Sequence, residues 1–313
     1  MSVDYAQEMV ENRRWFHRHP EEGWAEFETT NYIVQKARQW GFEVLLGTKV
    51  INPDAVMGRK DEVVEKAIAR ALSHGVSQEF IDECEGYTGA VAVMNTGKPG
   101  PVTALRFDID CLAMEESHEQ DHLPNKEGFR SEYDGFCHAC GHDGHAAVGL
   151  GVAHWFADHK DELCGTIKLL FQPAEEGVRG AAAMAASGIL DDVDWFASGH
   201  IGCSAFLGQV GVNHEGYLAT TKFDLEYKGI PAAAGSPEKG RSALMCACAT
   251  AMSLGSLPGH SEGITRVQIG KIVSGTARNI VAEHAYMQLE VRGESTEIND
   301  YMAANVEMTV KGM

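Results

Sequence analysis

Apolar residues recur near helical spacing through residues 4–19, where Met9, Val10, Trp15 and Phe16 fall together, so a helix is predicted there. The proline of His19-Pro20-Glu21-Glu22-Gly23 ends it. A second helix is predicted from about Glu26 to Trp40, stopped by Gly41, followed by a strand over Phe42–Leu46. Between residues 48 and 86 the texture changes. An amphipathic helix over Asp61–Leu72 stands between Asn52-Pro53 and the acidic run Asp82-Glu83-Cys84-Glu85, which reads as an insertion beside a sheet. Thr88–Asn95 and Val102–Phe107 are short β-rich runs around Gly97-Lys98-Pro99-Gly100-Pro101, the pattern of a hairpin. Further on, a helix over Ala146–His159, a buried strand over Thr166–Gln172, a small-residue helix over Ala181–Ser187 and a strand over Trp195–His200 are predicted.

Strands alternating with helices imply an α/β fold, a layered catalytic domain with a mostly parallel sheet. From about Tyr217 the pattern becomes β-α-β-β: strands at Thr221–Lys228, Arg266–Ile272 and His284–Arg292, and a helix at Arg241–Leu254. That predicts a smaller α+β domain of normal size, joined near Gly211 to Gly216. The expected division is therefore 1–215 and 216–313.

Composition narrows the functional classes. Hydrophobic residues at 44 % and charged residues at 23 % describe an ordinary globular chain with material for a good core. A formal net charge of -19 repels phosphate backbones and argues against nucleic acid. Eight cysteines in 313 residues are too sparse and irregular for a disulfide scaffold. No apolar run approaches the ~20 residues that span a bilayer, and the N-terminus lacks a signal-peptide h-region, so a cytoplasmic protein without a membrane partner is expected.

The candidate chemistry lies in Cys137-His-Ala-Cys-Gly-His-Asp-Gly-His145, six potential metal ligands in nine positions. Cys140 and His142 can reach one metal or bridge two, with Asp143 and His145 orienting them. Alternatives are a redox pair of Cys137 and Cys140, or loop histidines with purely structural roles. Glu175 and Glu176 follow the buried strand in Gln-Pro-Ala-Glu-Glu-Gly. If extended, they point to opposite sides, one toward a metal and the other toward a water whose proton it takes. His200, at a strand's end in Ser-Gly-His-Ile-Gly, is either a core residue or a ligand.

These segments, together with His17-Arg-His-Pro-Glu21, Ala104-Leu-Arg-Phe-Asp-Ile-Asp110 and Gly199-His200, resemble the M20 metallopeptidase superfamily in kind and order. The match is to its amidohydrolase branch of aminoacylases, hippurate hydrolases and auxin-conjugate hydrolases. The insertion and Ile51-Asn-Pro-Asp54 are similar to the p-aminobenzoyl-glutamate hydrolases within that branch. The resemblance implies a metal-dependent amidohydrolase acting on an N-acyl or N-aroyl amino acid such as p-aminobenzoyl-glutamate, with two divalent ions, zinc or manganese. It implies Cys140, His142, Glu176 and His200 as ligands, Glu175 as general base, and Asp108 and Asp110 as supporting groups beneath the metals. The domain after Tyr217 would be a lid that makes a homodimer, with Gly275-Thr-Ala-Arg-Asn279 and Arg292 near the substrate carboxylate.

Two departures from that pattern stand out. The family's lid motif Gly-x-Pro-Ala-His-Ala-Gly reads Gly229-Ile-Pro-Ala-Ala-Ala-Gly235 here, placing Ala233 where an imidazole would stabilise an oxyanion across the dimer. One such donor is worth roughly 10²- to 10³-fold in turnover. The family also continues beyond the lid, returning to complete the catalytic sheet and to supply another histidine ligand. A chain ending at Met313 is therefore expected to be C-terminally truncated, with an exposed sheet edge. Both departures favour the alternative of a non-catalytic metal- or peptide-binding subunit working with a related partner chain.

Overall fold

The computed structural model describes residues 3–202, 205–212 and 217–313, divided into two compact units, Met1–Gly208 and Gln209–Met313. The expected join at Gly211 to Gly216 lies partly at residues 213–216, outside the described residues.

The first unit opens with helices α1 (Tyr5–Arg18) and α2 (Phe27–Gln39), then strand β1 (Glu43–Leu45). Asp4 caps α1 by accepting from the Gln7 N–H at 3.1 Å. Residues 48–86 contain no strand; α3 (Asp61–Ser73) and α4 (Gln78–Glu83) supply Val64, Ala67, Ala71, Phe80 and Ile81 to a core shared with Phe27 and Val34 of α2. The insertion thus packs beside the sheet, as its amphipathic pattern predicts.

Four further strands and three helices complete this unit: β2 (Ala90–Asn95), β3 (Val102–Asp108), α5 (Leu123–Glu127), α6 (His142–Asp158), β4 (Thr166–Gln172), α7 (Gly180–Ala185) and β5 (Trp195–Ser198). The strand order is β1-β2-β4-β3-β5. β3 runs parallel to β4 and to β5, whereas β1–β2 and β2–β4 are antiparallel, so the sheet is mixed.

The hairpin expected between β2 and β3 does not form, because β4 lies between them. Its nearly unbroken apolar run, Ile167 to Phe171, is buried throughout and belongs at the sheet's centre, where both edges are paired. The turn at 96–101 wraps around the start of β4 instead: Thr96 N–H donates to the Gly165 carbonyl at 3.1 Å and Gly165 N–H to the Lys98 carbonyl at 2.9 Å. Gly165 has φ +76, and a Cβ there would come within 2.0 Å of the Pro101 carbonyl oxygen, so only glycine fits the crossing.

The two-residue period of β4 feeds two cores. Ile167, Leu169 and Phe171 pack with Phe16, Ile33, Ala146 and Leu150 under α1, α2 and α6. Leu170 packs on the other face with Trp24, Ile51, Ala183 and Met184. Truncating a side chain such as Leu169, which is fully buried, costs about 2–5 kcal/mol. The edge strand β5 is exposed along its whole length, including Trp195 and Phe196.

The second unit contains β6 (Ala219–Lys228), α8 (Ala243–Gly255), β7 (Thr265–Ser274), β8 (His284–Gly293) and α9 (Thr296–Gly312). Its antiparallel sheet has the order β6-β8-β7, with a register shift between Ile269 and Lys271. β8 alternates exposed and buried positions, and Met287, Leu289 and Val291 meet Ala247 and Leu254 of α8 and Met302 and Val306 of α9. Among the described residues, no helix is long and apolar enough to cross a membrane.

Candidate metal centre

Because β3, β4 and β5 are mutually parallel neighbours, their carboxyl ends lie side by side. Segments that follow such strand ends are where open α/β sheets place ligands. Asp108 ends β3 and Asp110 follows it, Glu175 and Glu176 follow β4, and His200 follows β5. Gly141, in a left-handed conformation at φ 88, turns the chain from Cys140 into α6, so that His142 is the helix's first residue. His145, three residues later, shares its face.

Each histidine's chemistry follows from its partners. The Nδ1–H of His142 donates to the Asp110 carbonyl at 2.9 Å, which leaves the lone pair on Nε2. That Nε2 is buried and has no hydrogen-bond partner; it faces Asp108 Oδ1 at 3.7 Å and Glu175 Oε2 at 3.8 Å. The Nδ1–H of His200 likewise donates to the Ile201 carbonyl at 2.6 Å, and its Nε2 lies 3.4 Å from Cys140 Sγ. In His145 both nitrogens are used: Nε2 accepts the Ile201 N–H at 2.9 Å and Nδ1–H donates to Asp108 at 2.5 Å. His145 therefore braces Asp108 and Ile201 and has no lone pair to give.

The expectation that Glu175 and Glu176 are extended is corrected by the structure: they occupy a turn. Ala174 before them has φ 50, a left-handed conformation that side chains rarely adopt. Three consecutive N–H groups hold the turn. Ala174 N–H donates to Glu26 at 2.8 Å, and Glu175 and Glu176 N–H donate to the two oxygens of Asp110 at 3.0 and 2.9 Å. Both carboxylates consequently reach the same side, where they and His142 form one group whose ligand atoms lie within 4.8 Å of one another. Cys140, His142 and His200 form a second such group. Asp108, His142 and His145 make a third, whose His145 is already committed to its hydrogen bonds.

The electrostatics favour a cation. Burial, then the Glu176, Glu175 and Asp108 carboxylates, push the Cys140 thiol up to about 12. Burial, then the charges of Asp110 and Glu175, raise Glu176, whose Oε1 is buried without a hydrogen-bond partner. Burial alone would depress His142, yet the Asp110 hydrogen bond and the charges of Asp108, Asp110 and Glu175 carry it to about 9. His142 Nε2, whose proton a cation would displace, and Glu176 Oε1 are both buried without a hydrogen-bond partner, and beside a thiol and a second imidazole they fit a borderline divalent ion.

Other predicted residues are dispersed. Cys137 is a buried free thiol whose backbone pairs with Leu112, which ties it to the loop and gives the redox alternative no support. Asp143 is buried against His17 and Arg13, at 2.8 and 2.7 Å, and so anchors the start of α6 to α1. In the second unit, Asn279 lies beside Ala233: its carbonyl accepts from the Ala234 N–H at 2.9 Å, and Ala233 bridges Ile280. Arg292 sits near the far end of β8, paired with Glu290 at 2.6 Å. At roughly 3.3 Å per residue, about 26 Å of strand separates it from His284, so in one chain Asn279 and Arg292 do not converge. Glu26 is the supporting residue that sequence reasoning passed over. It stands far from the cluster in the chain, and nothing in Trp24-Ala-Glu-Phe27 announces that it is buried beneath Ala174.

Comparison with known proteins agrees with the cluster. The model of peptidase family M20/M25/M40 matches residues 104–309. A p-aminobenzoyl-glutamate hydrolase subunit homolog from Haemophilus influenzae is 50 % identical over 315 residues, covering 100 % of this chain and 74 % of its own. An indole-3-acetyl-aspartic acid hydrolase from Enterobacter agglomerans is 42 % identical, over 97 % of this chain and 71 % of its own. The crystal structure of an aminobenzoyl-glutamate utilization protein from Klebsiella pneumoniae superposes with a TM-score of 0.76 at 39 % identity, covering 98 % of this chain and 72 % of that one. On sequence and fold together, the chain belongs to peptidase family M20/M25/M40 and is a hydrolase.

Proposed function

We propose that the chain cleaves the amide bond of an N-acyl or N-aroyl amino acid, with p-aminobenzoyl-glutamate as the leading substrate. The observation that supports this reading is the pair of buried, unpartnered ligand atoms, His142 Nε2 and Glu176 Oε1, converging with Cys140 and His200 while Glu175 stands at their margin. Cys140, His142, Glu176 and His200 would hold two divalent ions, zinc or manganese. Such ions supply Lewis acidity that polarises a carbonyl and acidifies water. Glu175, about one-third exposed, is placed to take a proton from the attacking water and return it to the leaving nitrogen. Asp110 holds Glu175, Glu176 and His142 in register, so no reorganisation is needed when charge develops.

Residues 1–215 would form the catalytic domain and 216–313 a lid that pairs two copies, in a cytoplasmic enzyme. Asn279 and Arg292 are proposed as substrate-carboxylate contacts; since Asn279 precedes the start of β8 and Arg292 lies near its end, two copies would each contribute one. The Haemophilus influenzae relative is named for one subunit of a hydrolase, which supports a second, related chain as a further partner. Ala233 supports a second reading, a non-catalytic binding subunit.

Metal analysis of the purified chain, followed by hydrolysis assays on p-aminobenzoyl-glutamate, separates these readings. Two divalent ions and chelator-sensitive turnover support the enzyme. Metal uptake without turnover supports the binding subunit, and failure to take up metal sinks both.

A further inference from the structure

A small slot of about 100 Å³ lies against the same turn and is lined by Glu22, Trp24, Gly58, Lys60, Val63 and Arg179, among others. Arg179 is its centre. The Nε–H donates to the Glu176 carbonyl at 2.8 Å and Nη1 donates to the Gly58 carbonyl at 3.3 Å, both neutral acceptors. Among the described residues no carboxylate pairs with this half-buried guanidinium, and Nη2 has no acceptor. Two glycines make room for it. A Cβ at Gly23 would come within 2.4 Å of Arg179 Nη2, and one at Gly58 within 2.8 Å of its Cδ. Lys60, also without an ion pair among the described residues, lines the same slot, and Glu22, its one carboxylate, pairs with neither cation.

Two unneutralised cations in one slot are unexpected in a chain of net charge -19, and a guanidinium held by two carbonyls with a free edge is prepared for a planar anion. Two backbone contacts link the slot to segments that carry the candidate metal centre. Arg179 grips the carbonyl of Glu176, and Glu22 pairs through its backbone with Cys111, next to Asp110. Gly58, Lys60 and Val63 come from the 48–86 insertion.

We infer that Arg179, assisted by Lys60, is a subsite for the side-chain carboxylate of an acidic amino acid in the substrate, and that the insertion at 48–86 supplies its outer wall. This rests on the hydrolase reading above and deepens it. The names of the two relatives, hydrolases of a glutamyl and an aspartyl conjugate, are consistent with such a preference.

The test compares p-aminobenzoyl-glutamate with p-aminobenzoyl-glutamine, which differ only in that side-chain carboxylate. The wild type is expected to favour the glutamate conjugate in kcat/KM by about 10- to 100-fold, the worth of one charge-assisted hydrogen bond pair. Arg179→Met should reduce that ratio by at least about tenfold through KM, Arg179→Lys should restore part of it, and Lys60→Met should reduce it less. An unchanged ratio in Arg179→Met, with both substrates falling together, overturns the inference and leaves Arg179 as a brace for Glu176 or a contact for the α-carboxylate. If the wild type hydrolyses neither compound, the hydrolase reading fails by itself. Calorimetric binding of the two compounds to wild type and Arg179→Met then decides the subsite: loss of discrimination in the variant sustains it, and equal discrimination overturns it.

Discussion

The backbone N–H of Glu176 donates to Asp110 Oδ2 at 2.9 Å, so one buried carboxylate fixes the residue proposed to hold metal. Its other oxygen fixes Glu175 at 3.0 Å, and its main-chain carbonyl fixes His142. Replacing Asp110 by Asn turns one of these acceptors into a donor. Metal affinity or turnover in Asp110→Asn is expected to fall about 10- to 100-fold, the usual cost of removing a group that orients ligands. Metal titration of the purified variant checks this, and wild-type affinity together with wild-type turnover would refute the role.

Glu175 stands 3.8 Å from His142 Nε2 and is about one-third exposed, so water can reach it. Glu175→Gln preserves its shape and removes its basicity, so turnover should drop roughly 10²- to 10⁴-fold while metal content is retained. Loss of metal instead would make Glu175 a ligand and require a different base.

Ala233 is exposed, beside Asn279. An imidazole there has room, and in the dimer proposed above it would serve as an oxyanion donor. Ala233→His is expected to raise kcat by up to about 10²-fold. If steady-state assays find no increase, some other donor already serves the oxyanion.

Glu21 accepts from the Thr29 N–H at 2.8 Å and from Arg70, and complete burial pushes it up to about 7 despite the Arg70 charge. The sign follows from the raised value. The folded state keeps this proton more tightly than the unfolded chain, so the stabilisation is fully present below about pH 4.5 and is lost as pH rises toward 7. At 1.36 kcal/mol per unit the change amounts to roughly 3 kcal/mol. In Glu21→Gln, which cannot titrate, thermal melts between pH 4.5 and 7 should therefore show the variant gaining stability relative to wild type. Parallel melting curves across that range would show that Glu21 is ionised in the fold.

Much of the site is legible in the sequence, because ligand chemistry is local. Cys140 and His142 sit two residues apart on a glycine turn, and Glu175 and Glu176 follow a strand whose apolar run shows that it is buried. What the chain's order conceals is the neighbour in space. The segments around 110, 140, 176 and 200 meet only because β3, β4 and β5 are parallel neighbours, and sequence proximity wrongly suggested that β2 and β3 pair.

The sequence by itself determined most of the elements and the set of metal-binding residue types, though not α4, α5 or α9, since hydrophobic period and donor chemistry are properties of short segments. Tertiary structure decided the rest: which nitrogen of each histidine keeps its lone pair, that Glu175 and Glu176 lie in a turn clamped by Asp110 and Glu26, and that Arg179 stands unpaired between Gly23 and Gly58. Each depends on a backbone group or a missing side chain brought from a distant part of the chain, and local patterning does not encode that placement.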